Sequence, residues 1–289
     1  MEIGVRLPRR NVSVTREDIR DFATTAERLG FDGLWVTDHL AIPLHIESLY
    51  PLGRQPTRLA DGELIEQMGA NLEMLTTLAY LAAITDRIRL CTGVAVLPIR
   101  NPVLTARQLA TIDHLSGGRV ICGVGVGWLR EEVDAVGLPW EERGARAEEQ
   151  IELMRTLWTA QGELVEFNGR FWQLPPMSPH PLPVQRPIPI LIGGHSPTAI
   201  ERAGRLGDGW ATQMMSPERL ATGIASMRDA AERHGRDPAT LLVHTTARMQ
   251  PDVSPLDHLS RVEEVGADHV RYDLETIDEL NRLADEVLV

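Results

Sequence analysis

The residues able to do chemistry gather at a few points along the chain. Thr37-Asp38-His39 follows a short apolar run. Histidine is the side chain whose ordinary pKa lies closest to neutral pH, so His39 is a candidate proton donor or acceptor. Asp38 beside it offers a carboxylate that either orients the imidazole or binds a ligand itself. Two glycine-rich turns close other apolar runs, Gly123-Val124-Gly125-Val126-Gly127-Trp128 and Gly193-Gly194-His195-Ser196. Backbone bare of side chains lets a flat ring or a phosphate come close. The second turn opens a helical pattern whose first N–H groups would face an anion. Ser196 there reads equally well as a plain N-cap. The first turn matches only half a dinucleotide fingerprint, because its third glycine is misplaced.

Other chemistries lack their residues. All 29 basic residues are arginine. Without lysine there is no Schiff base, no pyridoxal-phosphate anchor and no P-loop lysine. A bound phosphate must then be held by arginine, backbone N–H groups or hydroxyls. No HxH pair, HExxH motif or cysteine cluster supplies metal ligands, so no metal site is expected. No GxSxG elbow suggests a serine hydrolase. Cys91 and Cys122 sit within RIRLCTGVAV and GRVICGVGVG and read as small buried hydrophobes.

These motifs need elements to position them. Apolar runs at 3–7, 34–37, 87–94, 119–125, 187–193, 209–212, 241–247 and 269–274 read as strands. Between them lie helical patterns. The first starts at an N-cap, Thr15, with Asp18 three residues on, and stops at Gly30. The others cover about 72–85, 102–115, 142–159, 197–206, 217–234, 256–265 and 276–288. Strict alternation over 289 residues predicts a single-domain (β/α)8 TIM barrel spanning 1–289. A doubly wound sheet alternates too, but rarely through eight units. Ile3, Val36, Leu90, Val120, Ile190 and Val243 should be buried in it. Barrel enzymes carry their chemistry at strand C-termini, which is where the motifs fall. Two insertions break the rhythm. Residues 40–70, after strand two, should cover the pocket. Residues 160–187, before strand five, contain LVEF and RFWQL joined by Asn168-Gly169, a hairpin signal.

The formal charge is 29 − 41 = −12, which argues against a duplex nucleic-acid partner. No apolar stretch approaches the roughly 18 residues of a membrane span. The start, MEIGVRLPRR, lacks the apolar core of a signal peptide. The expectation is a cytoplasmic protein acting on a small molecule.

Four segments together resemble the luciferase-like monooxygenase superfamily, in particular its coenzyme F420-dependent oxidoreductases. They are AERLGFDGLWVTDH, LTTLAYLAAITDRIRLCTGV, NPVLTARQLATIDHLSGGRVICGVGVGWLREE and PIPILIGGHSPTAIERAGRLGDGWAT. The resemblance runs from near residue 1 to about 212 and more loosely beyond. It implies a (β/α)8 barrel with a flavin or deazaflavin across its C-terminal face. It also implies a non-proline cis peptide at Gly93-Val94 supporting the ring, with Val96 alongside. Asp38 would bind the cofactor and His39 would line the reaction centre. Backbone at Val126-Gly127 and Gly193-Gly194, with Ser196, would meet the cofactor's side chain and phosphate. FMN-using relatives carry a GLNIVTG-like sequence after SGGR. Here SGGR precedes VICGVGVGW, which is similar to the F420 branch. Sugar-phosphate dehydrogenases of that branch hold a glutamate where Trp128 stands, and lysines this chain lacks. Trp128 would instead give an apolar wall for a less charged substrate. The leading expectation is hydride transfer between F420 and a small organic substrate. The alternatives are an FMN-dependent two-component monooxygenase fed by a separate flavin reductase, and a flavin-binding barrel without turnover. The resemblance also implies a homodimer.

Overall fold

The computed structural model describes residues 1–8, 14–43, 45–48, 72–249 and 253–288. Among them the alternation closes on itself. Strands β1 (Glu2–Arg6), β2 (Gly33–Val36), β3 (Arg89–Val96), β4 (Val120–Gly125), β7 (Ile190–Gly193), β8 (Gly209–Ala211), β9 (Leu242–Ala247) and β10 (His269–Asp273) form a closed barrel. Each pairs in parallel with its ring neighbours. The six strand residues expected in the core are all buried. The predicted TIM barrel is the observed fold.

Local chemistry explains the helices that cover it. In α1 (Arg16–Leu29), Thr15 and Asp18 form a reciprocal capping box, and Gly30 ends the helix at φ 100°. The others are α2 (Met74–Ile84), α3 (Pro102–Ser116), α4 (Arg130–Ala135), α5 (Arg143–Thr159), α6 (Pro197–Leu206), α7 (Pro217–Arg233), α8 (Pro255–Glu264) and α9 (Ile277–Val287). Helix α4 has no counterpart in the sequence reading. No described helix is long and apolar enough to cross a membrane.

Two departures bear on the site. Strand β3 runs to Val96 rather than 94, because a register shift between Thr92 and Ala95 absorbs a bulge and pairing with β4 resumes beyond it. The hairpin before β7 forms, as β5 (Val165–Asn168) and β6 (Gln173–Met177), but not around a two-residue turn. Asn168 pairs with Gln173, and residues 169–172 make the loop. The cause is Glu149 of α5, whose carboxylate accepts the N–H groups of Arg170, Phe171 and Trp172 at 2.7–3.1 Å. That capture removes Arg-Phe-Trp from the strand. Most of the 40–70 insertion lies outside the described residues.

The barrel lumen is two-sided. Trp35, Cys91, Ile121, Leu191 and Ala211 form an apolar cluster from β2, β3, β4, β7 and β8. Across from them, β9, β10 and β1 bury His244, Thr246, His269, Arg271 and Arg6. TIM-barrel interiors are ordinarily filled by apolar layers, so this polar half calls for a purpose.

Candidate active site

A cavity of about 620 Å³ opens at the C-terminal ends of the barrel strands. That size suits a cofactor or drug-sized ligand. Each residue the resemblance assigns to the site lines it: Asp38 and His39 after β2, Gly93, Val94 and Val96 on β3, Val126, Gly127 and Trp128 after β4, and Gly193, Gly194 and Ser196 after β7; Gly123 and Val124 of the first glycine-rich turn do not.

The β3 bulge forms one wall. The Gly93–Val94 peptide is cis. A Cβ on Gly93 would stand 2.8 Å from Arg271 Nη1 and 2.9 Å from Trp35 Cε3, so only glycine fits between them. Asp38 fastens this wall to β2. Its carboxylate accepts from Val96 N at 2.9 Å and from Arg100 Nε and Nη2 at 2.8 and 2.5 Å. The Asp38 side chain is 1% exposed. Burial works against the charge on Arg100, but Asp38 and Glu73 outweigh it and raise its pKa above the usual value.

His39 has a different carboxylate. Its Nδ1–H donates to Glu132 Oε2 at 3.0 Å. The other oxygen, Oε1, accepts the N–H groups of Leu40 and, at 3.3 Å, Ala41. The Glu132 side chain is 3% exposed and His39 10%. A carboxylate fixed by two backbone donors thus fixes the tautomer of the imidazole and leaves Nε2 as the acceptor nitrogen. The Trp128 indole meets the imidazole edge-on at 6.2 Å. Neighbouring Glu131 accepts from Glu47 N at 2.6 Å and from Ser48 N and Oγ at 3.1 and 2.6 Å. The acidic pair at the start of α4 therefore holds His39 and its loop together.

The far rim is basic. Ser196 caps α6, accepting from Ala199 N at 3.2 Å. Arg143 lies over the Trp140 ring at 3.6 Å, and Arg219 reaches the same rim from α7. His195 Nε2 accepts from Gln213 N at 3.0 Å, which places its proton on Nδ1. Burial, with Arg219 nearby, lowers the His195 pKa. Cys122 is fully buried, and burial pushes its thiol up to about 12, so it is no nucleophile. No group of three or more His, Cys, Asp or Glu suited to a metal occurs among the described residues.

Sequence reasoning missed Glu132, because α4 is too short to show a period. The signal was the acidic pair directly after Trp128, where a helix start favours carboxylates. It also left Arg143, Arg219, His244 and Thr212 unassigned, since these belong to elements far apart in the chain.

A parallel barrel with a cavity at its C-terminal face, a cis bulge on β3 and a carboxylate-held histidine defines a barrel enzyme whose site lies at the strand C-termini. The chain belongs to the luciferase-like monooxygenase family, whose model matches residues 1–255. That membership makes it an oxidoreductase. An uncharacterized protein of Mycobacterium tuberculosis is 34% identical over 249 residues, 86% of this chain and 82% of that protein. An F420-dependent glucose-6-phosphate dehydrogenase of Nakamurella multipartita is 34% identical over 225 residues, 76% of this chain and 59% of that enzyme. Among solved structures, an F420-dependent secondary alcohol dehydrogenase in complex with an F420-acetone adduct superposes with a TM-score of 0.77 at 20% identity, covering 99% of this chain and 96% of that one.

Proposed function

We propose that this chain is an F420-dependent oxidoreductase that moves a hydride between the deazaflavin and a small, uncharged organic substrate. The observation that carries the reading is the His39–Glu132 pair at the edge of a cavity walled partly by backbone. The residues suit such a cofactor. Gly93, Gly125 and Gly193 line the cavity around Val94, and the Val94 side chain packs where a Cβ on Gly125 or Gly193 would stand, so backbone and Val94 together would form the wall for a tricyclic ring. Arg143, Arg219 and the N–H groups opening α6 would hold its phosphate, as a chain without lysine requires. When bound, the cofactor supplies hydride donation and acceptance at its ring carbon. The relative named for F420 at 34% identity favours deazaflavin over FMN. The family description keeps an FMN-dependent monooxygenase, with its separate reductase, as the second reading.

The protein's own part is proton handling and shape. Moving a hydride to or from a carbon that bears oxygen requires a matched proton. His39 Nε2 accepts or returns it, while Glu132 holds Nδ1 and stabilises the imidazolium that forms. Trp128 walls the substrate side and disfavours charged groups there.

The test is single-turnover hydride transfer with pre-bound F420. His39→Ala should keep the fold and most cofactor affinity, and slow turnover by about 10²-fold or more. Turnover equal to the parent would remove His39 from the reaction.

A further inference from the structure

The barrel lumen holds a second, smaller cavity toward the N-terminal ends of the strands. It measures about 10 Å³, the room of a single water molecule. Glu2, Asp32 and Arg89 border it from the starts of β1, β2 and β3, and Trp35, His244 and His269 border it from within the lumen. Register makes a row of three of these residues, since Glu2 pairs with His269 and His269 with His244 across β1, β10 and β9. Side chains of directly paired residues stand on one face of a sheet. The contacts agree. Glu2 Oε1 accepts from Arg89 Nη2 at 3.0 Å, Glu2 Oε2 lies 3.3 Å from His269 Nε2, and His269 meets His244 edge-on at 6.4 Å. The row stops at His244, which is 2% exposed and has both ring nitrogens buried without a hydrogen-bond partner among the described residues. Buried polar atoms are almost always paired, so this ring calls for an explanation. It stacks on Trp35 at 3.9 Å and 21°, and both rings line the small cavity and the large one, so together they part the two. The indole nitrogen stands at the small cavity. A Cβ on Gly4 or Gly33, which both line it, would come within 3.0 or 3.4 Å of Trp35 Nε1.

We propose that the small cavity binds one structural water, which joins His244 to the Glu2–His269 pair and leaves the imidazole proton on the nitrogen that faces the large cavity. The hydrogen bonds follow in order from what each group can do. A carboxylate only accepts, so His269 Nε2–H donates to Glu2 and His269 Nδ1 is an acceptor. An indole N–H only donates, so Trp35 gives its hydrogen to the water oxygen. The water then donates one hydrogen to the Glu2–His269 pair and the other to the nearer nitrogen of His244. That makes three bonds, about the usual count for a buried water. The indole donor also disfavours a metal cation in the same space. Burial, then Arg271 and His269, push the His244 pKa well below its ordinary value, so the ring stays neutral. The charge of Arg271 is met by Asp273 Oδ1 at 3.0–3.1 Å. A neutral imidazole that accepts at one nitrogen carries its proton on the other. His244 is then a fixed, uncharged donor toward the large cavity, suited to a carbonyl or hydroxyl oxygen of a ligand. This assignment does not rest on the cofactor reading.

The test uses the full chain without ligand, by crystallography and by imidazole nitrogen shifts in NMR. The parent should show an ordered water in the small cavity at about 3 Å from one His244 nitrogen. Its shifts should report a single neutral tautomer, protonated at the other nitrogen. Gly33→Ala puts a methyl group into the small cavity, 3.4 Å from Trp35 Nε1 and 3.5 Å from Cys91 Sγ, and alters no polar member of the row. It should exclude the water and bring both His244 tautomers to comparable population, because the bond that fixed the proton is gone. Should that variant not fold, the parent's water and tautomer decide alone. Three results would each overturn the proposal: no water against His244 in the parent, a proton on the nitrogen nearer the water, or a water-free Gly33→Ala that keeps the parent's tautomer.

Discussion

At the scale of single residues, the account rests on how two carboxylates are used. Asp38 and Glu132 are both buried, yet they do different things. Asp38 spends its oxygens on Arg100 and Val96 and so shapes the wall. Glu132 spends one oxygen on the loop and one on His39. An amide in place of Glu132 cannot accept on both sides. It must either donate to His39 Nδ1, forcing the proton to Nε2, or present its NH2 to the Leu40 and Ala41 donors. Glu132→Gln should therefore slow turnover about tenfold or more and shift its pH profile, while leaving cofactor affinity near the parent's. The tautomer is read directly from the imidazole nitrogen shifts by NMR. A variant with the parent's tautomer and pH profile would reduce Glu132 to a loop anchor.

At the scale of elements, α4 and the β3 bulge position the chemistry. Glu131 pins Glu47 and Ser48 to α4 through three hydrogen bonds. Arg130 N adds a fourth, to Ser48 Oγ at 2.9 Å. Glu131→Ala should leave the barrel intact and speed hydrogen exchange at the Glu47 and Ser48 amides at least tenfold. Exchange at the parent's rate would show that the segment is held by other contacts. The contrast between what was legible and what was not follows from element size. Strands such as Leu34–Val36 and a capped helix such as Thr15–Gly30 announce themselves through pattern and end signals. So do the strand-end motifs, because a barrel puts every strand C-terminus on one face. Helix α4 spans 6 residues, too few to show a helical period, so Glu132 stayed hidden. The hairpin loop was misjudged for a related reason. Asn168-Gly169 favours a tight turn locally, but Glu149, some 20 residues earlier, captures three backbone donors and opens it. Long-range capture of backbone leaves no trace in local propensity.

At the scale of the whole molecule, four partly or fully buried histidines tie stability to pH. Burial lowers the pKa of His195, His244, His258 and His269. The unfolded chain protonates these groups near their ordinary value of about 6.5, whereas the folded chain holds them neutral. The unfolded state then binds more protons below that value, so stability falls as the pH drops through it. The Tm should decline between pH 7.5 and 5.5, a window above the titration of the carboxylates, and decline less in His244→Phe. A Tm that is flat across that window would contradict the buried, neutral state of these rings. The lumen that houses His244 is the same space in which the cavity ends, so the molecule's stability and its binding site share a boundary. The central claim is that this cavity is built for a deazaflavin. The most direct measurement is a paired fluorescence titration of the purified protein with F420 and with FMN under the same conditions. The account predicts tighter binding of F420, weakened when Arg143 or Arg219 is replaced by alanine. Equal or tighter binding of FMN would contradict it and favour the monooxygenase reading.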